Sequence, residues 1–248
     1  GNDVFLPQPD DIDYYPLCTE WIDYAHKYDP EIIFEGGVYE VVHEGINVIE
    51  IPAWVFEAFG LPVEEGRTFK FEKMMYDTWA VDPNGASYYT PDMSKLESQM
   101  WFYYRGVQQI DAGFEALHLG SAPSMSNTDS AQGYKGWKRL CDLLHEYAKT
   151  HARRGWVILN AHNLHNMAAK DSEGNAVLFF DYNPWMLCGY VPSYEVDGSP
   201  EIGNPQELLI EANKGHTMFM KTQKGKHPLG YYTEAQVGVA ELDNYASK

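Results

Sequence analysis

The residues best suited to chemistry in this chain stand where apolar runs turn polar. Ala116–Leu117 leads to His118, Ile158–Leu159 to Asn160 and His162, Phe179–Phe180 to Asp181 and Asn183, and Val239–Ala240 to Glu241 and Asp243. If these runs are strands, alternation places Asn160 with His162, Asp181 with Asn183, and Glu241 with Asp243 on shared faces. On an earlier strand Glu35 shares a face with Ile33. Two carboxylates flanking a glycosidic bond suffice for hydrolysis, one protonating the leaving oxygen while the other attacks or activates water. Asp181 and Glu241 are the first candidates for that pair, with Glu115 as a third. His118, Asn160, His162, Asn183, Trp185 and Asp243 would bind the substrate or tune a carboxyl group.

Each residue also has a structural alternative. Glu115 fits a core carboxylate satisfied by neighbours, and a lone histidine such as His118 or His162 commonly bonds nearby backbone. Trp185, after Asn183–Pro184, anchors a loop as readily as it stacks on a sugar. His118, His162, Asp181 and Asp243 are also acceptable ligands for a hydrolytic metal. The paired His-x-His of metal-dependent barrels is missing, so no metal or other cofactor is assigned, and a metal-dependent hydrolase using these His and Asp residues stays open as an alternative. Nothing resembles a P-loop, a dinucleotide-binding glycine turn or a nucleophile elbow.

The elements that must position these residues read most clearly from Lys135 to Trp185. Trp137, Leu140, Leu143, Leu144, Tyr147 and Ala148 recur at helical spacing, and Arg153–Arg154–Gly155 suits a helix end. WVILNAHN and VLFFDYNPW follow as strands. Upstream, SKLESQMWFYYRGVQQIDAG reads as a helix with Ser94 and Glu97 in capping-box spacing, leading into the strand GFEALHLGS. IPAWVFEAFGLP reads as a short helix, EIIFEGGVYEVV as a strand, QELLIEANKG as a helix and VGVAELDNYASK as a closing strand. Helix-then-strand units ending in polar chemistry predict an α/β fold, a TIM-type (β/α) barrel whose ligand meets the carboxyl ends of the strands. The clearer strands number roughly five or six against the eight of a closed barrel, which leaves three alternatives: a barrel truncated at the C-terminus, an incomplete barrel, or an open sheet. The expected organisation is an extended lead-in over residues 1–29 and a barrel over 30–248, with long excursions near 63–94 and 186–205.

Composition narrows the partners. The 248 residues are 44% hydrophobic, enough for a sizeable core. A net charge of -18 argues against nucleic acid and anionic membrane surfaces. No stretch is apolar for long enough to span a bilayer. Aromatic residues reach 15%, which suits either a large aromatic core or planar platforms for sugars. The partner expected is an oligosaccharide or other small polar ligand. Cys18, Cys141 and Cys188 are widely spaced and define neither a disulfide framework nor a metal site. The chain opens on Gly without an initiator Met, a common remnant of tag removal, so export after loss of a targeting segment is kept as an expectation.

The segments IPAWVFEAFGLP, MWFYYRGVQQIDAGFEALHLG, YAKTHARRGWVILNAHN and VLFFDYNPW resemble a group of uncharacterised, glycoside-hydrolase-like (β/α) barrel proteins of gut Bacteroidetes-type bacteria. The resemblance covers roughly residues 30–245. It implies a barrel fold and a glycan as substrate. This chain departs from the pattern at Ser121, where Gln is usual, and at Asn160, where an acid is usual. Those departures keep open a carbohydrate-binding pseudoenzyme on the same barrel.

Overall fold

The computed structural model describes residues 14–38, 40–78, 89–161, 167, 180 and 181 in full. It describes by backbone alone residue 162 and strand residues 169–170, 176–177, 185–190, 193–196, 199–202, 209–212 and 240–243. Helix α1 (Tyr14–His26) lies within the expected lead-in, where the stretch CTEWIDYAHKYDP also reads as a short helix. Pro16 is tolerated there because it stands in the first turn, where a backbone N–H has no partner within the helix. The chain continues through strand β1 (Glu35–Gly37) and helices α2 (Ala53–Ala58) and α3 (Leu96–Asp111). Strand β2 (Ala116–Ser121), helices α4 (Asn127–Ala131) and α5 (Lys135–His151), and strand β3 (Ile158–His162) follow.

Strands β1, β2 and β3 form one parallel sheet in that order. The register aligns Glu35 with Ala116 and Ile158, and Gly37 with His118 and Asn160. Each parallel step needs a long crossover, and α3 and α5 supply them. Both helices cover the sheet face that carries Leu117. A Cβ built on Gly106 of α3 would stand 2.6 Å from Leu144 Cδ2 of α5 and 3.4 Å from Leu117 Cδ1, so glycine lets the three elements close together. The other face, by alternation, carries Glu35, His118 and Asn160.

Two expected features changed. Within the expected excursion over 63–94, the described residues 63–78 and 89–94 are partly built into the core: Phe69, Phe71, Met74 and Met93 are fully buried. The segment is tied down by bridges from Glu50 to Thr68 and from Val42 to Tyr89. Burying each such side chain contributes roughly 1.5–3 kcal/mol, which outweighs weak local periodicity. The capping box is not formed either, because Lys95 stands at the cap and offers no side-chain bond. Glu97 instead accepts the Arg67 Nη2 donor at 2.5 Å and the Lys70 N–H at 2.9 Å. Asp129 of α4 caps α5 from outside, accepting the N–H groups of Gly136 (2.9 Å) and Trp137 (3.1 Å).

Further on, β4 (Ala169–Lys170) and β5 (Ala176–Val177) pair antiparallel. Strands β6 (Trp185–Tyr190), β7 (Ser193–Val196) and β8 (Ser199–Ile202) occupy the expected excursion near 186–205. Strand β9 (Leu209–Ala212) lies where a helix was expected. Strand β10 (Ala240–Asp243) pairs parallel with β6, and β9 pairs antiparallel with β6. Among the described residues the architecture is mixed helix and strand around a three-stranded parallel sheet, and no closed barrel is seen. No described helix is long and apolar enough to cross a membrane.

Candidate functional site

The polar residues of the sheet fall into three separate settings. On the face away from α3 and α5, His118 and Asn160 are adjacent in register and buried, at 7% and 0% exposure. His118 Nδ1 lies 2.6 Å from Asn160 Oδ1, and Asn160 Nδ2 donates to Glu35 Oε1. Glu35 spans from β1 to β3 because its neighbour on the intervening strand, Ala116, is small and Gly37 beside it on β1 has no side chain. The carboxylate fixes the amide, since only the NH2 group can face an ionised acid. The amide then fixes the imidazole: Nδ1 must carry a proton to donate to Oδ1, which makes Nε2 the acceptor in the neutral ring. Glu35 is exposed, so the line runs from a buried histidine to an accessible acid.

A second acid borders this line. Gly120 interrupts the regular register of β2 with a φ of 66°. The space a Cβ would fill there is taken by Glu40, whose Oε2 is 2.1 Å and backbone N 2.7 Å from that position. Only glycine fits both the left-handed backbone and the approach. Glu40 thus reaches the carboxyl-terminal part of β2, two residues beyond His118.

Glu115 lies at the opposite, amino-terminal end of β2. It is fully buried and receives Arg153 Nη2 at 3.0 Å and Arg154 Nε at 2.8 Å, with His26 Nε2 at 3.9 Å. The two arginines, expected to serve the end of α5, also donate to the Pro30 carbonyl. Arg154 further pairs with Glu31. Glu115 is therefore held by cations away from the strand ends where a substrate would sit.

Asp181 occupies a third setting, at the edge of β3. Its N–H donates to the Leu159 carbonyl (2.8 Å) and its Oδ2 accepts the Leu159 N–H (2.6 Å). The same oxygen lies 2.9 Å from His145 Nε2 of α5. Phe180 packs on Trp137 of α5 as well, with ring centroids 5.2 Å apart. Residues 180 and 181 form a bend, where strand alternation does not apply, so both turn toward α5 and Asp181 does not join His118. His145, which pairs with it, escaped sequence reasoning because helical spacing placed it beside the buried stripe rather than at a strand end.

Trp185, Glu241 and Asp243 lie on paired strands, with Trp185 in register with Ala240. His162 ends β3 opposite Ser121. Asn183 lies outside the described residues. The structure therefore brings together His118 and Asn160 from the expected set and adds Glu35 and Glu40. Glu35 carried a legible signal, since it stood on a candidate strand, but its partner Asn160 is 125 residues away. Among the described residues no three His, Cys, Asp or Glu side chains gather as a metal cage. Comparisons with protein-family models, curated proteins and solved structures return no match.

Proposed function

We propose that this chain acts on glycans, binding a sugar over the sheet face that carries His118, Asn160 and Glu35 and hydrolysing a glycosidic bond there. The observation that carries the reading is the hydrogen-bonded line from a buried histidine, through an amide, to an exposed carboxylate. Sugar hydroxyls both donate and accept, and this line offers both roles within a few ångströms. Glu35 would serve as acid or base, its carboxylate oriented by the Asn160 amide. The second carboxylate is sought in Glu40, beside Gly120, and in Glu241 on β10. His118 would orient a hydroxyl through the tautomer that Asn160 imposes.

A second reading, glycan binding without turnover, is favoured by a specific observation. Two acids that chemistry would recruit, Glu115 and Asp181, are engaged by arginines, a histidine and backbone. Isothermal titration with plant and host oligosaccharides, beside a reducing-sugar assay, separates the readings. Hydrolysis lost in Glu35→Gln with binding retained supports the enzyme, and binding without hydrolysis in the unmutated protein supports the second reading. Neither binding nor hydrolysis across the panel refutes both.

A further inference from the structure

The most unusual group outside this site is Arg105 of α3. It is 3% exposed, and a guanidinium is charged at any relevant pH. Among the described residues no acid forms an ion pair with it. Its Nε is buried without a hydrogen-bond partner, and so are the Tyr15 hydroxyl and the Gln109 side-chain oxygen. The three belong together. Gln109 stands one helical turn after Arg105 on α3, and Tyr15 of α1 lies beside the guanidinium without the alignment of a hydrogen bond. Tyr14 neighbours both Arg105 and Gln109. The first turn of α1 carries no acidic residue to neutralise the charge. The ring of Trp101, 5.6 Å from the guanidinium carbon, compensates it only in part.

An interior cation with no ion pair among the described residues is costly, and the orphaned polar atoms on neighbouring side chains compound the cost. A water molecule would satisfy hydrogen bonds but leave the charge. We propose that the junction of α1 and α3 is a binding site for a small hydroxycarboxylate. The carboxylate accepts from Arg105 Nε and the Tyr15 hydroxyl, and the ligand's own hydroxyl donates to Gln109 Oε1. Burial pushes Tyr15 up to about 12, against the pull of Arg105, so it remains a donor at neutral pH. The oxygen of Gln109 is held in place because its Nε2 donates to the Gly37 carbonyl at 3.2 Å. A Cβ at Gly36 would come within 2.4 Å of that oxygen, so the amide lies flat against β1. The role proposed is binding alone, and the Cys18 thiol beside Tyr14 is given no part in it. Through Gln109 and Gly37 it touches the strand that carries Glu35, from the opposite face.

Glycolate is the probe, with acetate (no hydroxyl) and ethylene glycol (no charge) as controls, read by titration calorimetry and thermal shift. Saturable binding of glycolate, weaker binding of acetate and none of ethylene glycol are expected. Arg105→Met should abolish the response, and Tyr15→Phe, which keeps the ring, should weaken glycolate by about tenfold or more. If Arg105→Met does not fold, Tyr15→Phe decides alone. Absence of saturable glycolate binding, or affinity unchanged in the variants, overturns the site. Equal affinity for acetate overturns the role of Gln109.

Discussion

A buried carboxylate near the start of a strand is ambiguous until its partners are known, and Glu115 illustrates why. Its arginines arrive from 38 and 39 residues downstream, a separation no local pattern reveals. Glu115→Gln should lower the melting temperature by roughly 5 °C while leaving glycan binding unchanged, because it breaks a buried pairing remote from the strand ends. Loss of binding with unchanged melting would reverse that assignment. Asp129 provides a test in pH. Burial raises its carboxyl above the ordinary 3.8, against the opposing bonds from Gly136 and Trp137. The folded state therefore holds the proton more tightly than the unfolded state, and stability falls as pH rises from 3.8 through the raised value. Urea unfolding of Asp129→Asn should lack that decline, so the wild type should lose ground to the variant across this window. A constant difference would mean that Asp129 does not titrate there. His118 and Asn160 were legible because β2 and β3 alternate regularly, whereas Asp181 was misread because alternation stops before the bend.

At the scale of elements, glycines mark where packing leaves no choice. Gly136, at the start of α5, has no room for a Cβ, which would stand 2.1 Å from the Met93 carbonyl oxygen. That obstacle is backbone, and Gly136→Ala should cost about 3 kcal/mol or more. At Gly106 the nearest atom is the tip of Leu144, which can rotate away, and alanine favours helix by about 1 kcal/mol. Gly106→Ala should therefore cost less than Gly136→Ala, and denaturant midpoints of the pair test the contrast. The reverse order would show that α3 and α5 cannot separate even slightly. Helices α3 and α5 were legible from their apolar stripes, and so were the strands that follow them. The described stretches 63–78 and 89–94 were not, because their packing comes from distant rings. Phe69 meets Trp101 and Tyr104 of α3, and Phe71 meets Tyr89. Such contacts leave no period in the sequence.

For the whole molecule, a charge of -18 on 248 residues means that self-repulsion opposes compaction. Raising sodium chloride from about 20 to about 200 mM should raise the melting temperature, since the Debye length shortens well below the protein's diameter. An unchanged or falling midpoint would show that local ion pairs outweigh the net repulsion. The arrangement around Glu115 has a consequence of another kind. Arg153 and Arg154 join the Pro30 carbonyl to the end of α5, closing a span of more than 120 residues at one point. The Glu115 and Ala116 amides donate to Phe34, and the Ile158 amide donates to Glu115, all beside that closure. Amide hydrogens so arranged open together or not at all. In deuterated water these three positions should exchange at one common rate, and Arg154→Ala should accelerate all three while sparing the amides of α2.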